Sequence, residues 1–368
     1  MIIGVPKEIK NHEYRVGMIP EGAARLVRAG HRVVVEVGAG IGSGFIDTEY
    51  QQAGAVMVSA QKAWEAQLVV KVKEPLTVEF DYLQGQMLFT FLHLAGVGEE
   101  LTDRLVSSGT TAIAYETLED NDGRLPILAP MSAIAGNMAA LMGQYYLAKF
   151  NQGSGVQLGK VLGECHGKAL VIGDGVVGFH AARTLNSMGA NVVQVGLNQK
   201  LEGRLVGGDL NGVEYYYSTA EVVARLSQGV DLVVGAVLRK GRKSPYVLTK
   251  DMLSGMRKGS VVVDVSIDQG GCIEGSRPTT HDDPVYVDNG IIHYCVANMP
   301  GAYPRTATVA LCMETIPYIV SLANCGVNAF FGIAGLAKAI NIYDSRVVNE
   351  DVAASLGYEW FSIDNMSD

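Results

Sequence analysis

Ala169-Leu-Val-Ile-Gly173-Asp-Gly175-Val-Val-Gly178-Phe-His-Ala-Ala182 is the stretch on which the fold turns. The apolar run 170–172 reads as a buried strand, and Gly173, Gly175 and Gly178 then fall at the G-x-G-x-x-G spacing where a strand turns into a helix. Such a turn presents helix-terminal N–H groups to a pyrophosphate. Gly173 allows the tight turn, Gly175 keeps side chains away from the phosphate, and Gly178 lets the helix close on its strand. Downstream, Val177, Ala181, Leu185 and Met188 recur at helical spacing, Gly189 supplies a stop, and 192–195 reads as the second strand. A dinucleotide site usually has Asp or Glu at that strand's end to hold the ribose hydroxyls. This chain has Gly196.

Outward from this centre the chain reads as three blocks. Up to about residue 130, strand patterns at 2–5, 32–37, 68–72, 87–91 and 112–115 alternate with helical stretches such as 21–29. That alternation predicts a parallel sheet covered by helices. A helical stripe through Ile134, Met138, Met142 and Tyr145 or Tyr146 spans 132–150 and leads into the fingerprint. Strand patterns at 232–235, 261–265 and 291–296 continue a doubly wound sheet, and 307–340 hold a second long helical pattern and a shorter one. The tail has too little left for a new sheet and is expected to pack back on the first block. The expected fold is α/β: two Rossmann-like, doubly wound parallel-sheet domains joined by long helices, with a cleft between them. Residues 1–130 with 304–368 would form a substrate domain, and 131–303 the dinucleotide-binding domain.

A second glycine-rich loop, Gly38-Ala-Gly-Ile-Gly-Ser-Gly44, also follows a strand pattern. No three of its glycines keep the fingerprint spacing, and Asp47 and Glu49 stand where a phosphate-binding helix would begin. It reads as a tight loop.

The 368 residues, 48% hydrophobic and 18% charged with 44 glycines, suit a folded two-domain protein with many turns. A net charge of -9 offers no electrostatic footprint for nucleic acid or an anionic membrane. The start lacks the features of a secretory signal, and the apolar stretches read as strands too short to span a membrane. Cys165, Cys272, Cys295, Cys312 and Cys325 are scattered with no C-x-x-C pair, as expected of reduced thiols in a cytoplasmic protein. The seven histidines show no ligand spacing, so no metal is expected.

Open parallel sheets bind ligands at strand C-terminal ends, where Lys73, His93, Asp268 and Asn298 are all expected. A nicotinamide-dependent enzyme would need a cation for a carboxylate and a proton carrier near neutrality. Each residue also has a plainer reading. A lone His after an apolar strand is commonly a hydrogen-bonded core residue, a lone Lys is commonly solvated, and Asp268 could cap the turn into Gly270-Gly271. Arg15, in a polar loop, carries less signal still.

Further segments decide between these readings. Gly4-Val-Pro-Lys-Glu-Ile-Lys-Asn-His-Glu-Tyr-Arg-Val-Gly17, Val70-Lys-Val-Lys-Glu-Pro75, Leu88-Phe-Thr-Phe-Leu-His-Leu-Ala95, Ala112-Ile-Ala-Tyr-Glu-Thr117, Asp268-Gln-Gly-Gly-Cys272 and Val296-Ala-Asn-Met-Pro300 follow one another over most of the chain. Together they resemble the alanine dehydrogenases, a group related to the α subunit of proton-translocating transhydrogenase. The segments around His93 and Asp268 favour the dehydrogenase. The resemblance implies NAD-dependent, reversible oxidative deamination of L-alanine to pyruvate and ammonia by a homo-oligomer, a hexamer in its relatives. It implies that Arg15 and Lys73 bind the substrate carboxylate and its keto or imino group, that His93 is the general acid/base, and that Asp268 handles water and ammonia. Cofactor contacts would fall on Ser132, Gly175, Val176, Val177, Gly178, Gly196, Asn198, Ser218, Val237, Leu238, Ile267, Asn298 and Met299.

Two positions depart from the family pattern. Ala133 stands where many relatives have Glu, a change expected to matter little. Gly196 leaves two readings open. Either NAD is used with Asn198 or water at the ribose, at a cost of roughly 1.5–3 kcal/mol for a lost charged hydrogen bond, or NADP is used with Lys200 or Arg204 near its 2'-phosphate. Rival functions on the same scaffold are an opine- or saccharopine-type dehydrogenase and a transhydrogenase-like nucleotide-binding subunit.

Overall fold

Short apolar runs punctuated by glycine turns build two eight-stranded sheets. The computed structural model describes residues 1–96, 98–238, 243–333 and 335–363, without the side chain of Arg204. The chain divides into two compact units, 1–131 with 301–368 and 132–300.

The first unit opens with β1 (Ile2–Val5), β2 (Arg32–Glu36), β3 (Val56–Val58), β4 (Leu68–Val70), β5 (Met87–Thr90) and β6 (Thr111–Ala114). They pair in the parallel order β3-β2-β1-β4-β5-β6. The order reverses between β1 and β4, and a sheet of this kind offers its crevice at the C-terminal ends of those two strands. The segments following β1, β4, β5 and β6 therefore share one edge of the sheet.

The strands of the second unit are a hairpin, β7 (Gly159–Val161) and β8 (Glu164–His166), followed by β9 (Lys168–Ile172), β10 (Asn191–Gly196), β11 (Gly203–Arg204), β12 (Glu214–Tyr217), β13 (Leu232–Gly235), β14 (Val261–Asp264), β15 (Val285–Asp288) and β16 (Ile291–Tyr294). Its parallel order β12-β10-β9-β13-β14-β16 repeats the doubly wound pattern, now reversing between β9 and β13. Along β9, Ala169 and Val171 enter one hydrophobic cluster while Leu170 and Ile172 enter the other. This is the period of two of a strand covered on both faces. The helix Val176–Met188 packs on the first cluster through Ala181, Ala182 and Leu185, and Gly189 ends it in the left-handed conformation.

The sheets are not purely parallel. β11 and β15 pair antiparallel at the edges of the second sheet, and in the first the tail adds β17 (Ile340–Tyr343) antiparallel to β6 and β18 (Arg346–Val347) antiparallel to β17. The two-residue strands β11 and β18 carry too little periodicity to read in advance, and these antiparallel additions shield the edges of a parallel sheet. The expected helix 132–150 is shifted to Leu128–Tyr146, because Pro130 is tolerated in a first turn where its missing N–H has no helical partner. The 307–340 pattern resolves into a long helix, Pro304–Cys325, and two short ones, Ala329–Gly332 and Leu336–Ala339.

One expectation is overturned here. Pro304–Gly332 is long and apolar enough to cross a membrane by length and composition, with a mean hydropathy of 1.4. Half of it is buried within the protein. Ala307, Leu311, Cys312 and Ile319 are buried, and Thr308 Oγ1 accepts a hydrogen bond from the Val16 N–H at 3.2 Å. Core packing in the first unit accounts for its apolarity.

Candidate active site

In the first unit, the segment after β1 supplies Glu8, Glu13 and Arg15, all buried. Arg15 is only 2% exposed, so its loop is not a solvated one. Its guanidinium grips Glu13 with a two-pronged fork, Nε to Oε1 at 2.7 Å and Nη2 to Oε2 at 2.5 Å, and Nη1 lies 3.0 Å from the Met131 sulfur. The fork fixes the plane of the guanidinium before any ligand arrives. Glu8 Oε1 accepts the N–H groups of Val72 (2.6 Å) and Lys73 (3.3 Å), tying the segment after β1 to the one after β4. Lys71, fully buried, bridges Glu8 (3.2 Å) and Glu79 (2.9 Å). Burial pushes the Glu8 carboxyl above the usual range, and Lys71 keeps its charge because Glu8 and Glu79 outweigh its own burial.

Lys73 is 8% exposed, not solvated, and its Nζ lies 5.9 Å from the centre of the Phe91 ring. On the other strand end, the imidazole of His93 stacks on Phe91 with centroids 5.6 Å apart and planes 3° from parallel. The side chain of His93 is 36% exposed, so it is not a core histidine. Its backbone has φ +50°, a conformation that costs a non-glycine residue about 1–3 kcal/mol. Glu116, after β6, holds that turn by accepting the N–H groups of His93 (2.6 Å) and Leu92 (3.2 Å). Four adjacent strand ends thus place a buried guanidinium, a buried ammonium, an accessible imidazole and its carboxylate brace along one edge.

In the second unit the glycine turn after β9 answers the test for a dinucleotide. A Cβ on Gly173 (φ +122°) would lie 2.2 Å from the Ala236 carbonyl oxygen, and one on Gly178 2.1 Å from that of Gly173. A Cβ on Gly175 would meet no protein atom within 4 Å. Gly173 and Gly178 are thus required by the fold, whereas Gly175 faces open space. Gly175 caps the helix Val176–Met188 with no side-chain hydrogen bond, and no acidic residue stands in the first turn. Its N-terminal amides suit an anion. The other glycine loop differs: Asp47 Oδ1 accepts the Gly38 N–H at 2.9 Å, so the chain's own carboxylate takes the position a phosphate would need.

The remaining candidates of this unit lie around the strand ends. Ser132 is its first residue. Ser218 follows β12 and donates its N–H to the Gly196 carbonyl at 2.8 Å. Val237 and Leu238 follow β13; Ser266 Oγ accepts from the Val237 N–H at 3.1 Å, and Leu238 is exposed. Ile267 and Met299 are buried. Asp268 does not cap its own turn. That work falls to Asp264, which accepts the N–H groups of Ser266, Cys272 and Ile273 at 3.0–3.1 Å. Asp268 is exposed and accepts the Asn298 N–H at 3.3 Å, across the neighbouring ends of β14 and β16. Asn298, like His93, has a positive φ (+58°) and a carboxylate on its N–H. Among the described residues no group of three or more His, Cys, Asp or Glu could hold a metal.

At the end of β10 the site differs from what its sequence suggests. A Cβ on Gly196 would lie 2.3 Å from Asp174 Cγ and 2.4 Å from its Oδ2. That oxygen accepts the N–H groups of Leu197 (3.0 Å) and Asn198 (3.1 Å) and the hydroxyl of Tyr215 (2.6 Å). The Asn198 side chain is turned to its own loop, where Oδ1 accepts the Lys200 N–H at 3.2 Å. Lys200 is exposed, and the Arg204 side chain lies outside the described residues. Sequence reasoning missed Asp174, Glu116, Glu8 and Glu13. None has a spacing signal, although each sits inside a stretch that carries the fingerprint or the resemblance.

Comparison with known proteins shows the family and the fold. The family described as alanine dehydrogenase/PNT matches through its N-terminal domain at residues 4–135 and its C-terminal domain at 139–350. An alanine dehydrogenase of Mycolicibacterium smegmatis is 45% identical over 361 residues, 97% of each chain. A solved L-alanine dehydrogenase superposes with a TM-score of 0.91 at 46% identity, covering 97% of this chain and 99% of its own. A transhydrogenase from Sinorhizobium meliloti superposes at 0.80 with 25% identity, covering 95% of this chain and all of its own.

Proposed function

The chain belongs to the alanine dehydrogenase/PNT family, and on that premise we propose that it oxidises L-alanine reversibly to pyruvate and ammonia with NAD. The observation that carries this reading is that Lys73 and His93 both approach the Phe91 ring, on the sheet edge that also holds the braced Arg15.

Arg15 and Lys73 bind the substrate carboxylate and the neighbouring keto or imino group. NAD held by the second unit would supply the hydride acceptor for the alanine Cα. His93 removes the accompanying proton, and water adds to the resulting imine to give a carbinolamine with the help of Asp268. Ammonia then leaves and pyruvate remains. The turn Gly175–Gly178 and the amides of Val176 and Val177 hold the pyrophosphate. Ser132, Gly196, Asn198, Ser218, Val237, Leu238, Ile267, Asn298 and Met299 surround the rest of the cofactor. The family reading also carries a homo-hexamer, which light scattering would report.

A panel of amino acids assayed with both NAD and NADP tests the proposal. L-Alanine with NAD should give the highest kcat/KM, and pyruvate reduction should require ammonia. Reduction that requires a second amino acid in place of ammonia would point to an opine-type enzyme. Nucleotide binding without turnover of any amino acid would point to a transhydrogenase-like subunit. Either result would overturn the proposal.

A further inference from the structure

Gly196 removes the carboxylate expected at the end of β10, yet the space its side chain would fill is taken by another one. We propose that Asp174, inside the glycine turn, supplies the missing negative charge and makes the site selective for a dinucleotide whose adenosine ribose has a free 2'-hydroxyl. This inference rests on the dinucleotide reading above and names the residue that sets its specificity.

Three donors converge on Asp174 Oδ2: two backbone amides just beyond β10 and the hydroxyl of Tyr215, whose ring is buried in β12. That oxygen is saturated and its position is fixed. Oδ1 has no hydrogen-bond donor, and the carboxylate no cationic partner, among the described residues. Asp174 is exposed and immediately precedes Gly175, which faces open space. A dinucleotide whose pyrophosphate lies on the helix N-terminus carries its adenosine ribose toward the end of the second strand. A carboxylate there accepts a hydrogen bond from a ribose hydroxyl and repels a 2'-phosphate. The usual carboxylate reaches this place from the strand end, whereas this one reaches it from the turn. The two cannot coexist, because a side chain at Gly196 would collide with Asp174.

The test is equilibrium binding of NADH and NADPH, followed by fluorescence, to the full-length protein and its variants. The wild type should bind NADH more tightly. Asp174→Asn keeps the shape and removes the charge, and should lower the NADH:NADPH affinity ratio by about tenfold or more, as expected for a lost charged hydrogen bond together with lost repulsion. Asp174→Ala/Gly196→Asp moves the carboxylate back to the strand end and should restore the ratio. A purely structural role for Asp174 would weaken both nucleotides alike. An unchanged ratio in Asp174→Asn would therefore overturn the inference while leaving the dinucleotide reading in place. A wild type that binds neither nucleotide would overturn both, and one that prefers NADPH would overturn the assignment of Asp174 and of NAD.

Discussion

The backbone N–H of His93 donates to Glu116 Oε1 at 2.6 Å, while the imidazole Nδ1 stays 3.9 Å from that same oxygen. Glu116 therefore braces the turn that carries His93 and does not orient its ring. Removing the charge of Glu116 should weaken the brace by about 1.5–3 kcal/mol, with part of that loss appearing in the rate. Glu116→Gln is expected to lower kcat by about tenfold. NADH affinity should be unchanged in the same variant, and an unchanged kcat would show that the brace is not needed for turnover. His93→Ala should nearly abolish turnover while NADH binding is unchanged, and unchanged turnover would remove His93 from the mechanism.

Two glycines of one turn separate fold from ligand. Gly178→Ala would force a Cβ to within 2.1 Å of a carbonyl oxygen, so its urea midpoint should fall clearly. Gly175→Ala meets no protein atom, and Gly175 has an ordinary φ of -75°. Its stability should fall by no more than about 1 kcal/mol, the difference between Gly and Ala at a helix N-cap. NADH affinity should nevertheless drop by about tenfold or more as the methyl group meets the pyrophosphate. Intact binding in Gly175→Ala would show that the pyrophosphate lies elsewhere.

The buried cation Lys71 links stability to pH. Its folded pKa is raised, so its contribution is complete below 10.5 and is lost only as pH rises through the folded value. Glu8 is also raised, so its contribution is complete below 4.5 and declines as pH rises through its folded value. Lys71→Met leaves Glu8 and Glu79 buried without their cation, a loss of about 3–5 kcal/mol near neutrality. Without its cation the Glu8 carboxyl would favour protonation still more, so the deficit should shrink from about pH 8 to about pH 5 in urea titrations. A deficit independent of pH would show that packing, not charge, is what Lys71 contributes.

His293 gives the opposite slope. It is 2% exposed and stacked on Tyr286 with centroids 4.8 Å apart. Burial holds its imidazole below 6.5, with Arg277 acting in the same direction and Asp288 opposing. The folded protein therefore prefers the neutral ring, and this contribution is present above 6.5 and lost as pH falls through the folded value. His293→Phe keeps the stack and cannot charge. Its melting temperature should fall less between about pH 7 and about pH 5 than that of the wild type. Equal slopes would assign the acid loss to other groups.

Fully apolar runs with clear stops were legible from the sequence even when short. Strands β1 and β13 start and stop where the apolar runs do, and Gly189 ends its helix as a glycine should. Short edge strands such as β11 and β18 were not, because two residues carry no period. Lys73 and His93 could be proposed from their place after apolar runs, but their shared contact with Phe91 could not. The acids that position them were invisible for a related reason. Glu8 reaches Val72 across 64 residues and Glu116 reaches His93 across 23, and such distances follow from strand order.

By itself, the sequence determined the α/β alternation, the glycine turn and the family, since these rest on local periodicity and on motifs in a fixed order. It also showed that Gly196 lacks a carboxylate. Only the tertiary structure decided that the charge is present nonetheless. Parallel pairing of β9 with β10 sets the turn after one strand beside the end of the other, and there Asp174 meets the amides of Leu197 and Asn198. A single residue's type is written in the chain, but the place its charge occupies is set by the pairing of strands around it.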